Sequence, residues 1–197
     1  MFLHSNRWQA LDAIKTLGLL GALFSHIFIW WFGENWGGTS ASFYSISIPS
    51  WLMIIDLAIV GFLLVSAGAA FYFYLKRKPT FKKIFLRILL FIFLGLLFGL
   101  NLRPPVLFWN IFLFYALAIL TIFILYRYSD KKTILFLTLG VLVLTPLLRL
   151  FLNKTAPGNY LSAVLIGDSQ GKICFFPFFP WFFLVGAGFL TGYFYSK

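Results

Sequence analysis

Six apolar segments, each roughly 17–25 residues long, occupy most of this chain and constrain its fold more than any other feature. A helix of about 20 residues crosses the roughly 30 Å hydrocarbon core of a bilayer. Within lipid, every backbone N–H and C=O group must find its partner inside the protein, and a helix achieves this within a single segment. We therefore predict an all-α integral membrane bundle, with a single domain over residues 1–197. Its six transmembrane helices are expected at residues 11–32, 51–75, 84–101, 106–127, 133–152 and 175–196.

The composition supports a membrane protein and excludes several other classes. Hydrophobic residues make up 61% of the chain and charged residues 11%, whereas soluble domains average about 45–50% and 25%. Two histidines and one cysteine are too few for a Cys/His metal site, so we expect no metal. The net charge of +11 would suggest nucleic acid in a soluble protein, but here the basic residues separate the apolar segments. That arrangement is typical of topogenic signals, and we expect no nucleic-acid partner.

The basic residues also predict an orientation. If the N-terminus is inside, 12 of the 16 lysines and arginines lie on the inner side and 4 on the outer side. The positive-inside rule then places both termini in the cytoplasm, and the expected location is the cytoplasmic membrane of a bacterium. The basic run KRKPTFKK, Lys76 to Lys83, is expected to face anionic lipid, with the binding of cofactor phosphates as the alternative.

The first apolar segment, LDAIKTLGLLGALFSHIFIWWF, contains three ionisable residues: Asp12, Lys15 and His26. At about 100° per residue, His26 lies within about 40° of Asp12 and about 20° of Lys15 around the helix. The three residues therefore form one stripe, which must face protein or water because charges in lipid are costly. Asp12 and Lys15 are one turn apart, so they form an ordinary ion pair or face a cofactor that enters from the cytoplasm.

A second group of polar residues is predicted to share one depth in the outer half of the membrane. From the helical rise, His26 lies about 9 Å below the outer interface and Asp56 about 7–8 Å below it. Asn110 and Arg103 fall near the same level. If Asp56 accepts a hydrogen bond from one ring nitrogen, His26 becomes a stronger base or an acyl-carrying nucleophile. Alternatively, Asp56 pairs with Arg103 or Lys15, and His26 only bridges helices.

Glycines recur in three of the apolar segments, in LVSAGAA, LGLLFGL and LVGAGFLTG. Because a residue without a Cβ lets two helix backbones approach closely, we predict that these glycines mark helix crossings. We assign no ligand to them.

Two separated motifs resemble a known family. Arg7 followed by LDAIKTLGLLGALFSH resembles the opening span of the membrane acyltransferase superfamily, which includes the acyltransferase-3 family. There, Leu-Asp precedes a basic residue, ten intervening positions and a histidine, and Lys15 and His26 match that spacing. The stretch FFPFFPWFFLVGAGFLTG, Phe175 to Gly192, is similar to the Phe-Pro-Leu-Phe-Pro-Trp segment of the heparan-α-glucosaminide N-acetyltransferase-like catalytic domain.

The chain also departs from that family in two ways. Lys15-Thr16 stands where the family commonly has Arg-Gly, and lysine lacks the planar fork with which arginine binds carboxylate or phosphate at two points. Relatives continue into further spans after the Phe-Pro-Trp segment. We therefore expect a minimal domain, one that is incomplete at its C-terminus, or an inactive offshoot of the family.

The resemblance implies transfer of an acyl group from cytoplasmic acetyl-CoA, or another acyl-CoA, to a carbohydrate or other envelope acceptor at the outer side. His26 would be the catalytic histidine and Lys15 the basic residue of the first-span motif. The predicted site residues are His26 and Asp56 for catalysis, Lys15, Asp12 and Arg87 for the acyl-CoA, and Asn110, Arg103 and Trp181 for the acceptor. Two other functions stay open: a small transporter or flippase, suggested by Arg103 and Arg149 near the outer layer, and a membrane subunit without catalytic activity.

Overall fold

The computed structural model describes residues 9–32, 50–100, 109–155, 160–167 and 176–196. Seven helices lie in these ranges: α1 (Gln9–Phe32), α2 (Ser50–Lys76), α3 (Phe81–Leu100), α4 (Ile111–Tyr128), α5 (Lys131–Thr155), α6 (Tyr160–Ile166) and α7 (Phe178–Tyr195). No β-strand occurs in this part of the chain. The prediction of an all-α fold is confirmed.

The helices belong to two compact units whose boundary lies within α2. The first unit, Met1–Ala67, contains α1 and the first part of α2. The second unit, Gly68–Lys197, contains the rest of α2 and α3 to α7. The single domain over residues 1–197 stays a prediction.

Within the described residues, four helices are long and apolar enough to cross a membrane. The qualifying segments are Leu57–Lys76, Ile111–Tyr128, Lys131–Phe151 and Phe178–Tyr195. Between 22% and 39% of each segment is buried by protein, and the exposed remainder is rich in leucine, isoleucine, valine and phenylalanine. Such a surface suits lipid rather than water.

Two of the predicted helices begin later than expected. α4 begins at Ile111 rather than 106, because Asn110 has an extended backbone and is the N-cap of the helix. α7 begins at Phe178 rather than 175, because Pro177 has an extended backbone with ψ of 139°. Pro180 lies in the first turn of α7, where its missing N–H leaves no helical hydrogen bond unmade.

The short helix α6 lies between the fifth and sixth predicted transmembrane segments, where no helix was predicted. Gly167 ends it with a φ of +92°, and the Gly167 N–H donates to the Ala163 carbonyl at 2.8 Å. A left-handed glycine after the last helical turn is a common way to satisfy the terminal carbonyl groups.

Close packing in the second unit depends on small residues. α5 buries one narrow row of side chains, at Ile134, Thr138, Val141 and Thr145. These residues are separated by three or four positions, which is the spacing of a single helix face. A Cβ at Gly186 of α7 would lie 2.5 Å from the Thr138 Oγ1 atom, so the absence of a side chain there lets α5 and α7 meet.

A carboxylate caps the start of α5. Asp130 Oδ1 accepts hydrogen bonds from the Thr133 N–H at 2.8 Å and from the Thr133 hydroxyl at 2.5 Å. These two hydrogen bonds, followed by the nearby charge of Lys132, hold the pKa of Asp130 below its usual value. The cap favours the ionised carboxylate, as expected at a helix N-terminus.

This cap gives a pH-dependent prediction. Because the pKa of Asp130 is lower in the folded protein, its contribution is fully present above the unfolded pKa of about 3.9. It is lost as the pH falls through the lower, folded value. We expect Asp130→Ala to reduce Tm by about 1–3 °C at pH 7 and by nothing at low pH. Thermal unfolding in detergent between pH 2.5 and 7 tests this, and Asp130→Asn, which keeps a capping oxygen but not the charge, should lose part of this stability at pH 7.

Candidate functional site

Asp12 and Lys15 form an ion pair at the beginning of α1. The Lys15 Nζ atom lies 3.9 Å from Asp12 Oδ1, and the two side chains are 35% and 37% exposed. This is the geometry of an ordinary i,i+3 pair on one helix, and its partial exposure limits its contribution to stability. A role for both residues in holding acyl-CoA stays a prediction.

The charged pair does not lie between α1 and α2. A Cβ at Gly18 would lie 2.7 Å from Leu63 Cδ2, and a Cβ at Gly21 would lie 2.9 Å from Ile59 Cδ1. These two glycines therefore mark the face of α1 that packs on α2. By helical rotation, the midpoint of the charged pair is about 120° around α1 from the midpoint of the two glycines. The charged pair therefore lies on a different face of α1 from the one that packs on α2.

The two predicted catalytic residues lie on helices of the first unit. His26 belongs to α1 and Asp56 to α2, but their side chains lie outside the described residues. Arg103, predicted to contact the acceptor, also lies outside them. The pairing of His26 with Asp56 and the role of Arg103 stay predictions.

Asn110, also predicted to contact the acceptor, uses its side chain to join two helices. It is 3% exposed. Its Oδ1 atom caps α4 by accepting hydrogen bonds from the N–H groups of Phe112 at 3.0 Å and Leu113 at 3.3 Å. Its Nδ2 atom donates to the Gly95 carbonyl of α3 at 2.8 Å. These bonds give Asn110 a structural role, and an acceptor contact in addition to them is untested.

Asn110→Ala should destabilise the second unit by roughly 2–3 kcal/mol, because it removes the cap and leaves the buried Gly95 carbonyl without this donor. Asn110→Ser retains a capping oxygen but cannot reach Gly95 in the same way, so an intermediate loss is expected. Unfolding of the detergent-solubilised variants, followed by circular dichroism, measures both. An unchanged midpoint for Asn110→Ala would contradict this role.

Three aromatic side chains and one arginine lie at the end of the second unit that contains Asn110. We call this the aromatic end (Trp109, Arg149, Phe176 and Trp181). The Trp109 Nε1–H donates to the Phe176 carbonyl at 2.8 Å, and the rings of Phe176 and Trp181 are 5.3 Å apart. Arg149 Nε donates to the Ile166 carbonyl at 3.0 Å. Trp181 is half-buried, and its predicted contact with an acceptor is untested.

Sequence reasoning missed the way in which Arg149 is held. The guanidinium group binds the last residue of α6, where carbonyl groups lack helical partners and the helix dipole favours a cation. A Cβ at Gly167 would lie 3.7 Å from an Arg149 terminal nitrogen and 3.3 Å from Pro177 Cγ. Gly167 therefore helps α5, α6 and the start of α7 to converge. In the sequence, the glycine that follows a short apolar run was the signal for the end of α6, where Arg149 binds.

The opposite end of the second unit carries nine described lysines and arginines, and we call it the basic end. Its members are Lys76, Arg77, Lys78, Lys82, Lys83, Arg87, Arg127, Lys131 and Lys132. Contacts between helix ends bring them together. The Tyr72 hydroxyl is 2.8 Å from the Ser196 hydroxyl, Lys131 Nζ lies 4.3 Å from the centre of the Tyr193 ring, and Phe81 packs on Phe123 at 6.0 Å.

Arg87, predicted to contact the acyl-CoA, is exposed at this basic end. Its guanidinium carbon lies 3.8 Å from the centre of the Tyr74 ring, which is the distance of a cation–π contact. The stacking orients the guanidinium group without neutralising its charge. Binding of a cofactor phosphate by Arg87 is compatible with this geometry and stays a prediction.

These features define the class of protein. The described part of the chain is helical and contains four helices long and apolar enough to span a membrane, and its second unit has one basic and one aromatic end. Comparisons with protein families, with characterised proteins and with solved structures find no match for the chain. The function is therefore inferred from the residues themselves and from the two motifs that resemble the membrane acyltransferases.

Proposed function

We propose that this protein is a membrane-embedded acyltransferase with six transmembrane helices and both termini in the cytoplasm. It transfers an acyl group, such as acetyl, from cytoplasmic acyl-CoA to a carbohydrate or other envelope acceptor at the outer side. The observation that carries the proposal is the spacing of Asp12, Lys15 and His26 along one apolar helix. Support comes from α1, which is continuous from Gln9 to Phe32, so that this spacing translates into one stripe.

In the proposed reaction, His26 acts as the general base. Its imidazole takes the proton from the acceptor hydroxyl or amine, and the acceptor oxygen or nitrogen attacks the thioester carbonyl. The C–S bond breaks, and the imidazolium returns the proton to the leaving thiolate, so CoA departs as the thiol. Asp56 accepts a hydrogen bond from the other ring nitrogen and stabilises the imidazolium.

The charges of the chain suit the proposed donor. Acyl-CoA is a polyanion because it contains three phosphate groups, and cations complement it. Lys15 lies at the predicted cytoplasmic end of α1, and Arg87 is exposed and oriented by Tyr74 at the basic end of the second unit. By the positive-inside rule, this basic end faces the cytoplasm, where acyl-CoA is found.

The aromatic end of the second unit suits the proposed acceptor. Trp109 and Trp181 are half-buried, and rings of this kind provide an apolar platform with a polar edge. Ligand sites commonly combine such rings with a few fixed polar groups, and Arg149 supplies one of these here. A sugar ring has a matching combination of an apolar face and polar hydroxyl groups.

The test is acyl transfer by the purified protein in nanodiscs. Radiolabelled acetyl-CoA is added with glucosamine, and in a parallel reaction with a mixture of envelope glycans. Release of free CoA thiol that depends on the acceptor, together with labelled acceptor, would support the proposal. Saturable binding of acetyl-CoA is expected even before the acceptor is known. If the protein neither binds acetyl-CoA nor releases CoA thiol, the proposal is overturned. That result would favour a transporter or a non-catalytic subunit.

A further inference from the structure

We propose that the basic end of the second unit is a binding surface for the headgroups of anionic phospholipids. It contains nine described cations and one carboxylate, Asp130, so its net charge from these groups is nine minus one, or +8. All nine cationic residues are exposed. Such a density of positive charge calls for an anionic partner of similar extent, and the surface of a charged leaflet provides one.

Three of the cations are held in place by the protein. Arg87 stacks on Tyr74 at 3.8 Å, and Lys131 lies over the Tyr193 ring at 4.3 Å. Lys76 Nζ donates to the Ser196 carbonyl at 3.4 Å. Aromatic rings and a carbonyl group fix these side chains but leave their positive charges uncompensated, so the charges remain available to an anion.

The other six cations lie at the helix ends and connections around this fixed centre. Arg77, Lys78, Lys82 and Lys83 lie at the α2–α3 connection, and Arg127 and Lys132 lie at the α4–α5 connection. Asp130 between α4 and α5 is already engaged by Thr133. The two connections are linked by the contact of Phe81 on α3 with Phe123 on α4, so their charges form one surface.

Exposed aromatic residues next to these cations favour lipid over a soluble anion. Phe81 is 67% exposed, Phe85 is 47% exposed and Tyr128 is 80% exposed. The rings of Phe81 and Phe85 stack at 6.2 Å, one turn apart on α3 and next to Lys82 and Lys83. Basic and aromatic side chains together are typical of the interfacial zone, where cations contact phosphates and rings pack between acyl chains.

The experiment measures lipid selectivity by electron spin resonance. The protein is reconstituted in phosphatidylcholine vesicles with trace spin-labelled phosphatidylglycerol or phosphatidylcholine. At 0.1 M NaCl we expect the anionic probe to associate with the protein about 3–10-fold more strongly than the zwitterionic probe. At 1 M NaCl the ratio should fall towards one, because the Debye length shortens from about 10 Å to about 3 Å.

A triple variant and its matched control locate the effect. Lys82→Gln, Lys83→Gln and Arg127→Gln together remove three of the nine positive charges and should lower the selectivity ratio about twofold. The control exchanges the same residues for the other cation, Lys82→Arg, Lys83→Arg and Arg127→Lys, and should keep the wild-type ratio. An unchanged selectivity ratio in the glutamine variant would overturn the proposal, as would a wild-type ratio of one at 0.1 M NaCl.

A further arm separates lipid headgroups from soluble phosphates. Inorganic pyrophosphate is added at millimolar concentration, with the ionic strength kept constant. The signal of the bound lipid probe should not change, and its displacement would assign the surface to a soluble anion instead. The measurement contains no acyl-CoA, so its outcome is independent of the proposed acyl transfer.

Discussion

Gly68→Ala is expected to destabilise the second unit by at least about 3 kcal/mol. A Cβ at this position of α2 would collide with the Val185 carbonyl oxygen and lie 2.9 Å from the Phe189 nitrogen of α7. Both atoms belong to the helix backbone, so no side-chain rotation can relieve the overlap. Overpacking a core typically costs about 1–3 kcal/mol, and a collision of two backbones belongs at or above the upper end.

The expected loss extends along the whole crossing of α2 and α7. A Cβ at Gly192 would lie 3.1 Å from the Ala69 carbonyl oxygen, and the rings of Tyr72 and Phe189 meet edge to face at 5.3 Å. If alanine at position 68 forces the two helices apart, these contacts lengthen together. The hydrogen bond between Tyr72 and Ser196 at the basic end should weaken as well.

Gly140→Ala provides the matched control. This glycine lies within α5, and a Cβ there would meet no atom within 4 Å. Alanine is a better helix former than glycine by up to about 1 kcal/mol, so the substitution should be neutral or slightly stabilising. Unfolding of both variants in mixed micelles with increasing sodium dodecyl sulfate measures the difference. Equal midpoints for the two alanine variants would show that α2 and α7 do not cross closely at Gly68.

The helices were predictable because the requirement that creates them is local. In a bilayer each apolar segment must satisfy its own backbone, so length and hydropathy suffice to locate it. The helix starts were less predictable, since Asn110 and Pro177 lie inside apolar runs. Both carry recognisable signals, an N-cap residue and a proline before the first turn. Giving these signals more weight than hydropathy would have placed the starts of α4 and α7 correctly.

The pairing of helices could be predicted only in part. Glycine-containing segments were expected at close crossings, and this is confirmed for Gly68, Gly95 and Gly186, where an added Cβ would crowd another helix. Nothing in the sequence identified which helix each glycine meets. The reason is physical: lipid is as apolar as the side chains, so hydropathy does not distinguish the face that meets protein.

The position of a polar residue along a helix similarly gives only one coordinate. Helical rise placed Asn110 at the depth of the proposed site, but its side chain turns towards the backbones of α3 and α4. The same limit applies to the charged pair of α1, whose direction followed only from the position of Gly18 and Gly21 against α2. Depth selects candidates, and the direction around the helix decides between capping and ligand binding.

His26→Ala is expected to reduce acyl transfer by at least about 10³-fold while the protein still inserts and folds. The imidazole is the proposed base, and its removal leaves the acceptor proton without that positioned base. Removal of a positioned base typically costs about 10²–10⁴-fold, and loss of a nucleophilic role would cost more. Initial rates of CoA thiol release with saturating acceptor measure the effect.

Two comparison variants distinguish catalysis by His26 from a structural role. His4→Ala removes the only other histidine and should leave the rate unchanged, which controls for nonspecific loss. Asp56→Asn keeps the shape but not the charge of the proposed orienting group, and a loss of orders of magnitude is expected, as for other histidine–carboxylate pairs. Added imidazole should partly restore His26→Ala, with a rate that follows the ionisation of the added base. Full activity of His26→Ala would contradict the assignment, because the ionisable residues of α1 would then have no catalytic role.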